Sequence, residues 1–158
     1  MSMKNWDSKF WDKTWGRPYG RYNRHHKDIW EAVTPFIKGK VIDLGCGTAL
    51  MYQGKQIDLT GIDWSETGIN EAQKNYPNGK FFVRDLRETQ FPDKSFDTCI
   101  LAGVLDYFED WNPIITEARR ITKGNIIATL LNGFQGHSWN LVKFPIIKKV
   151  CNWVIIKI

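Results

Sequence analysis

The clearest chemical pattern in the sequence lies between residues 43 and 63, where glycines and carboxylates follow short apolar runs. Asp43 precedes the turn Gly45-Cys46-Gly47, and Asp63 comes 20 residues after Asp43. Glycine lets the backbone approach a ligand where a Cβ atom would collide with it. A carboxylate at the position of Asp63 can accept hydrogen bonds from both ribose hydroxyls of a nucleoside. The pattern indicates a nucleoside site, although a glycine turn alone would also suit a tight strand-to-helix connection.

Three further residues could recognise an adenine base. Trp64 offers a flat face to the ring, and stacking of this kind contributes about 1–3 kcal/mol per base in nucleic-acid sites. The carboxylate of Asp85 can accept a hydrogen bond from the adenine amino group, and the backbone N–H of Leu86 can donate to a ring nitrogen. Because Asp43, Asp63 and Asp85 each follow a predicted strand, we expect them at one edge of one sheet. We interpret them as a ligand-facing row rather than as solvated surface charge.

The elements that must position these residues can be read from the apolar pattern. Short apolar runs bounded by Gly, Pro and Asn predict strands over 40–44, 57–63, 80–84, 96–102 and 126–131. Helical patterns over 23–36, 65–76 and 112–121 alternate with them. Such alternation produces right-handed βαβ units and a parallel sheet with helices on both faces. We therefore predict an α/β fold with a doubly wound, mainly parallel sheet of five or six strands in three αβα layers.

Other nucleotide and metal motifs do not fit the sequence. Leu50 stands where a dinucleotide-binding turn requires its third glycine, and the Lys-Ser/Thr pair of a phosphate-binding loop is missing. His25 and His26 are sequence neighbours, whose side chains on a helix would diverge by about 100°. The three cysteines lie far apart and lack zinc spacing. We predict no metal site.

The sequence resembles the class I S-adenosylmethionine-dependent methyltransferases of the Rossmann-like, small-molecule type over roughly residues 20–132. The motifs that carry the resemblance are VIDLGCGTA at 41–49, GID at 61–63, RDL at 84–86, FPDKSFDTCILAGVLDY at 91–107 and EARRI at 117–121. The resemblance implies a Rossmann-like sheet and S-adenosylmethionine as the methyl donor, with S-adenosylhomocysteine as the product. It also implies an enzyme that methylates a small-molecule acceptor. We expect a cytoplasmic protein, because the three cysteines form no disulfide framework and suit buried, reduced thiols.

The resemblance assigns cofactor roles to individual residues. Asp43 would orient the glycine loop and the methionine amino group, and Asp63 would bind the ribose hydroxyls. Arg21 or Arg24 would hold the methionine carboxylate, because a guanidinium matches a carboxylate bidentately. The other implied residues are Gly45 and Gly47 beside the methionine and ribose, Asp85 and Leu86 at the adenine, and Ala102, Gly103 and Leu105 near the sulfonium.

Two features depart from this family. Its third loop glycine is Ala49 here, a change that suits a backbone that is not left-handed. Only 26 residues follow Asn132, so we expect the usual C-terminal antiparallel strand pair to be incomplete. The apolar tail from Phe144 to Ile158 would then cover the edge of the fifth strand, by adding one strand in the same chain or across a homodimer.

Catalytic residues are weakly indicated, since methyl transfer from a sulfonium mainly requires positioning of donor and acceptor. A general base is needed only when the acceptor starts protonated. The candidates are Tyr22, His25, Asp106 and His137. The short tail keeps an alternative open, a non-catalytic module that binds S-adenosylmethionine or a partner chain.

Length and charge bound the remaining possibilities. We predict a single domain over 1–158, with an aromatic N-terminal lid at 1–38, a cofactor-binding core at 39–132 and a tail at 133–158. The net charge is +5 for 1–40, −6 for 41–110 and +6 for 111–158. Basic flanks on a small domain are commonly solvated surface, so we expect no specific nucleic-acid partner. No apolar run reaches the roughly 18–20 residues of a membrane span.

Overall fold

A computed structural model of the chain describes residues 7–16, 26–131, 146–150 and 153–158. The strands are β1 (Lys40–Leu44), β2 (Asp58–Asp63), β3 (Lys80–Val83), β4 (Phe96–Ala102), β5 (Thr122–Leu131), β6 (Ile146–Val150) and β7 (Trp153–Lys157). The helices are α1 (Ser8–Trp15), α2 (His26–Val33), α3 (Glu66–Asn75) and α4 (Asn112–Ile121). Short 3₁₀ turns lie at Thr34–Phe36, Leu50–Tyr52 and Leu105–Tyr107.

The seven strands form one sheet in the order β3-β2-β1-β4-β5-β7-β6. The first five strands pair in parallel, and β7 runs antiparallel to both of its neighbours, β5 and β6. The order reverses between β1 and β4, which makes the carboxyl ends of these strands the crevice where open α/β sheets bind ligands. The predicted doubly wound, mainly parallel fold is confirmed.

The C-terminal part of the sheet corrects the prediction of five or six strands without a complete antiparallel pair. The pair is present: β6 and β7 have five residues each and run antiparallel. Only Cys151 and Asn152 separate them in sequence. The pair was not predicted because the Cys151-Asn152 connection between the two strands has neither the Asn-Gly nor the Asp-Gly signal of a hairpin. Strand β7 covers the edge of β5 within the same chain, and Ile155 and Ile156 are fully buried. The reason for expecting a homodimer at that edge is therefore removed.

Two apolar cores lie on opposite faces of the sheet. Ile100 of β4 belongs to the core that includes Ile29 and Val33 of α2, and this core also contains the C-terminal part of α3. Cys99 and Leu101 belong to the other core, which packs under α4. The alternation follows from the two-residue period of a strand. The arrangement confirms the predicted three-layer αβα order.

Local signals explain where the helices begin. Ser65 caps α3, since its hydroxyl oxygen accepts a hydrogen bond from the backbone N–H of Gly68 at 2.9 Å. Pro113 lies in the first turn of α4, where its fixed backbone and missing N–H are tolerated. The helix passes directly into β5 at Thr122, four residues before the predicted start of that strand. Gly124 had suggested a helix end, but it stands inside β5, where a Cβ atom would lie 2.5 Å from the carbonyl oxygen of Asp97.

Strand β3 is one edge of the sheet and exposes apolar side chains. Phe82 is 37% exposed and Val83 51% exposed. The guanidinium of Arg84 lies 4.8 Å from the ring centroid of Phe82 and 4.7 Å from that of Phe91.

None of the helices in the described ranges has the length and apolar content of a membrane span.

A buried carboxylate fastens the loop after β3 to helix α4. Oε1 of Glu117 accepts hydrogen bonds from the backbone N–H and the hydroxyl of Thr89, at 2.9 and 2.6 Å. Both of its oxygens also accept from the Arg120 guanidinium. The carbonyl of Thr89 accepts from Arg84 at 2.7 Å, so this fully buried threonine is held from both sides. Hydrogen bonds from Arg120 and Thr89 lower the pKa of Glu117 to about 2.

The Glu117→Gln variant tests this attachment. We expect a loss of about 3 kcal/mol in the free energy of unfolding at neutral pH, because the amide places an N–H₂ group against Arg120. The carboxylate's contribution is fully present above its unfolded pKa, near 4.5, and is lost as pH falls through about 2. Urea unfolding at several pH values measures both effects. The exposed Glu88→Gln change in the same loop is the control, and equal losses for the two variants would contradict the assignment.

Candidate functional site

A pocket opens at the carboxyl ends of β1, β2 and β4. Its floor is built from the loop after β1, the end of β2 and the turn after β4, and helix α1 lies along its rim. The pocket is lined by Asp43, Gly45, Cys46, Thr48, Ala49, Leu50, Met51 and Tyr52, by Asp63, Trp64, Leu86, Ala102, Gly103 and Val104, and by Trp11, Trp15, His26, Ile29, Tyr107 and Phe108. The structure thus brings most of the predicted cofactor residues to one place.

The loop after β1 adopts a backbone conformation that favours glycine. Gly45 has a φ of +86° and Gly47 a φ of +50°. A Cβ atom on Gly45 would lie 2.5 Å from Val104, and one on Gly47 would lie 2.6 Å from the Trp15 ring. Ala49 is also left-handed, with a φ of +51°, which corrects the expectation that alanine meets no strain there. This conformation costs alanine about 1–2 kcal/mol relative to a right-handed one.

Asp43 is the most deeply buried acid of the pocket, with 2% of its surface exposed. Its Oδ2 accepts a hydrogen bond from the hydroxyl of Tyr52 at 2.8 Å. Across the described ranges, no hydrogen-bond donor reaches the buried Oδ1. Burial raises the pKa of Asp43 to about 7, and the negative charge of Asp63 acts in the same direction, while the Tyr52 hydrogen bond opposes the rise. The carboxylate is therefore poised to gain from a positively charged ligand.

Asp63 links the glycine loop to helix α3. Its Oδ2 accepts from the backbone N–H of Gly47 and its Oδ1 from that of Ser65, both at 2.9 Å. Burial raises the pKa of Asp63, although these two hydrogen bonds favour the charged form. Because each carboxylate oxygen carries two lone pairs, both can still accept from the hydroxyls of a ribose.

The expected adenine-binding residues are arranged around Arg87. The Arg87 guanidinium donates to both oxygens of Asp85 and lies 5.0 Å from the ring centroid of Trp64. Although partial burial alone would raise the pKa of Asp85, the hydrogen bonds from Arg87 lower it. Leu86 and Trp64 line the pocket, whereas Asp85 stands beside it. Arg87 was not singled out by the sequence analysis, and its spacing of two residues from Asp85 was the available signal.

The turn after β4 differs in detail from the prediction. Ala102 and Gly103 line the pocket, and the N–H of Gly103 is held by the backbone carbonyl and the hydroxyl of Thr129, each at 3.1 Å. Leu105 is placed in the apolar core instead, fully buried, and Val104 faces the pocket. The prediction for Leu105 followed from the family resemblance, but the 3₁₀ turn that starts at this residue places its side chain in the core.

The predicted catalytic candidates are only partly placed. Tyr22, His25 and His137 lie outside the described residues, as do Arg21 and Arg24. Asp106 is buried and is not a lining residue. His26 and Tyr107, the sequence neighbours of the candidates His25 and Asp106, do line the pocket. The helical spacing could have identified His26, since it precedes the buried Ile29 by three residues and so shares its face.

Helix α1 forms an aromatic lid over the glycine loop. Trp11 meets Tyr107 edge-to-face, with ring centroids 4.8 Å apart, and stacks on Trp15 at 6.0 Å. The Trp15 ring lies where a side chain on Gly47 or Gly68 would collide with it. The two tryptophans therefore pack the lid on the rest of the chain and also line the pocket.

Asp12 fastens this lid to helix α3. Its Oδ1 accepts from the Ser65 hydroxyl at 2.6 Å and from the backbone N–H of Thr67 at 3.1 Å. The Ser65 hydrogen bond lowers the pKa of Asp12. The carboxylate thereby serves as a second cap for α3, supplied by a different helix.

Replacing Asp12 with alanine should release the lid. We expect a loss of about 1 kcal/mol in the free energy of unfolding, the usual contribution of a helix cap. We also expect stronger acrylamide quenching of tryptophan fluorescence, because Trp11 and Trp15 lose their attachment. Urea unfolding and quenching titrations measure the two effects. Asp58→Ala, which removes an exposed carboxylate from β2, is the control. Identical quenching of both variants and the wild type would contradict the attachment.

Comparisons with known proteins agree with this geometry. A family model described as a methyltransferase domain matches residues 42–128, which is more than half of the chain. A demethylmenaquinone methyltransferase of Thermotoga maritima is 29% identical over 110 residues, 66% of this chain and 48% of that protein. A phosphatidylethanolamine N-methyltransferase of Cereibacter sphaeroides is 25% identical over 104 residues, 61% of this chain and 51% of that protein. The chain spans about half the length of these two relatives.

The fold itself is shared with solved structures. A SAM-dependent methyltransferase of Aquifex aeolicus superposes with a TM-score of 0.68 at 14% identity, over 87% of this chain and 93% of that chain. At this identity the likeness shows the fold alone. The family match supplies the rest: the chain belongs to the class I S-adenosylmethionine-dependent methyltransferases.

Proposed function

We propose that this chain binds S-adenosylmethionine in the described pocket and transfers its methyl group to a small-molecule acceptor. The observation that carries the proposal is the buried Asp43, whose Oδ1 lies beside the glycine loop without a donor from the described residues. Buried polar atoms are rarely left without a hydrogen-bond partner unless a ligand supplies it. An ammonium group provides three donors and a compensating charge, and S-adenosylmethionine carries one.

The other pocket residues suit the remaining parts of this cofactor. The loop after β1 makes a left-handed turn at Gly45 and Gly47, and Gly45 lines the pocket, whereas the Trp15 ring packs against Gly47. Asp63 would accept from the ribose hydroxyls while it holds the loop. The N–H of Leu86 and the face of Trp64 would receive the adenine, with Asp85 accepting from its amino group. Arg21 or Arg24 as the partner of the methionine carboxylate stays a prediction.

When bound, the cofactor supplies a methyl group on a positively charged sulfur, which an acceptor attacks in line. The task of the protein is to orient the two molecules and to exclude water. Trp11 of the lid and Tyr107 of the turn after β4 are in contact and would close the pocket over them. For an acceptor that must lose a proton, His26 is a candidate general base because it is an imidazole that lines the pocket.

The acceptor is expected to be apolar or flat. The lid side of the pocket is lined by aromatic and aliphatic residues, among them Trp11, Phe108 and Ile29. Such walls bury rings and hydrocarbon well and leave orientation to a few polar groups. The names of the two relatives refer to a quinone precursor and to a phospholipid. A planar, apolar acceptor agrees with the first of these names.

Titration calorimetry with S-adenosylhomocysteine tests the cofactor site. We expect binding by the wild type and at least about tenfold weaker binding by Asp63→Asn, a difference of about 1.4 kcal/mol. The amide puts donors in place of a carboxylate oxygen that accepts from backbone N–H groups. Asp58→Asn is the matched control on the same strand, because Asp58 is exposed at the opposite end of β2. No binding by the wild type, or equal affinity for all three proteins, would contradict the proposal.

An acceptor screen distinguishes an enzyme from the non-catalytic alternative. Release of S-adenosylhomocysteine in the presence of quinols, phenols and amines would identify turnover and the methylated atom. Cofactor binding without release for any acceptor would favour the binding module. The distinction matters here because the full activity of the relatives belongs to chains about twice as long.

A further inference from the structure

We propose that Tyr52 is a positioning residue for the cofactor: its phenol holds one oxygen of Asp43 so that the other faces the ammonium group of S-adenosylmethionine. This inference rests on the proposed function and goes beyond it, since the motifs of the family do not include Tyr52. Its basis is the hydrogen bond between the two side chains, their burial and the unpaired oxygen that this bond leaves.

Tyr52 is rigidly placed. It ends the 3₁₀ turn Leu50–Tyr52, and its side chain is fully buried. The ring packs edge-on against Trp30, with centroids 5.8 Å apart, and against Tyr76 at 6.4 Å. The phenol therefore has a fixed direction, and it donates to Oδ2 of Asp43 at 2.8 Å. Asp43 is a strand residue of β1, so the pair joins the sheet to the loop that surrounds the ligand.

The hydrogen bond divides the roles of the two carboxylate oxygens. Oδ2 is occupied by Tyr52, whereas Oδ1 receives no donor from the part of the chain that the structure describes. Both residues line the same pocket. Without the phenol the carboxylate could rotate and present either oxygen, or neither, to a ligand. With it, one lone-pair direction stays available for a donor.

The same bond tunes the charge of Asp43. Burial raises the pKa of Asp43 and the Tyr52 hydrogen bond lowers it, because the bond stabilises the charged form. Within the described ranges, the other titratable groups around Asp43 are Asp63 at the end of β2, the thiols of Cys46 in the glycine loop and Cys99 on β4, and His26 at the start of α2. Burial raises the pKa of both thiols, so they stay neutral near pH 7. Removing the phenol should therefore raise the pKa of Asp43 and make it neutral over a wider pH range.

The Tyr52→Phe variant tests the assignment without emptying the core, because only the hydroxyl is lost. We expect its dissociation constant for S-adenosylhomocysteine at neutral pH to increase by about tenfold. The affinity should also rise with pH in both proteins, since the ammonium prefers an ionised Asp43, and the midpoint of that rise should move to higher pH in the variant. Calorimetric titrations between about pH 6 and pH 9 cover the range in which Asp43 ionises.

Tyr76→Phe is the matched control. It makes the same chemical change in the same aromatic cluster, but the Tyr76 hydroxyl bonds to the backbone of Ile57 rather than to Asp43. We expect it to reduce stability and to leave the pH midpoint of binding unchanged. An equal shift in both variants would show a general effect of the cluster and would overturn the assignment.

A shorter ligand separates positioning from structural damage. Methylthioadenosine keeps the adenine, ribose and sulfur but lacks the ammonium and carboxylate of the amino acid. Tyr52→Phe should leave its affinity unchanged, and Asp43→Asn should lose the pH dependence seen with S-adenosylhomocysteine. Equal weakening of both ligands by Tyr52→Phe would overturn the inference while the proposed function stands. Failure of the wild type to bind either ligand would overturn the proposed function itself.

Discussion

The interaction on which the rest of the site depends is the pair of hydrogen bonds that backbone N–H groups of Gly47 and Ser65 donate to Asp63. A carboxylate this deeply buried is costly unless it is hydrogen-bonded, so the three segments must meet in one arrangement. The bonds fix the glycine loop against the end of β2 and set the start of α3. Ser65 in turn donates to Asp12, which fastens the lid. One buried charge thus orders the floor and the rim of the pocket.

The two carboxylates in the floor of the pocket, Asp63 and Asp43, have different surroundings. Asp63 accepts from two backbone N–H groups, which favour its charged form and also make it a structural anchor. Asp43 accepts from a single phenol, and burial outweighs this hydrogen bond, so its pKa is raised to about 7. Asp85 stands outside, paired with Arg87 in partial contact with solvent. The row of three acids at one sheet edge therefore contains a structural anchor, a buried acid with one oxygen open, and an acid paired with an arginine.

The sequence predicted well the strands and helix ends that depend on local patterns. Apolar runs located β1 and β4 to the residue, and Asn112 and Pro113 located the start of α4. It failed where tertiary contacts decide the outcome. The β6–β7 pair lacks a turn signal and is stabilised by burial against β5. The pocket is lined by Val104 and not by the predicted Leu105, and Arg87 pairs with Asp85. Both outcomes depend on the direction in which a 3₁₀ turn or a loop points a side chain. For Arg87 the two-residue spacing from Asp85 was a local signal, whereas the direction of Leu105 follows from packing in the core.

The exposed edge at β3 has a consequence for how the protein behaves in concentrated solution. An edge strand that shows Phe82 and Val83 presents unpaired backbone groups beside an apolar surface, a combination that promotes strand-to-strand association. Arg84 lies across the rings of Phe82 and Phe91 and places a permanent positive charge at this point. A charged side chain beside an edge strand is one of the features by which proteins oppose such association. The same arginine thus opposes association at the exposed edge and also holds the loop after β3 through the carbonyl of Thr89.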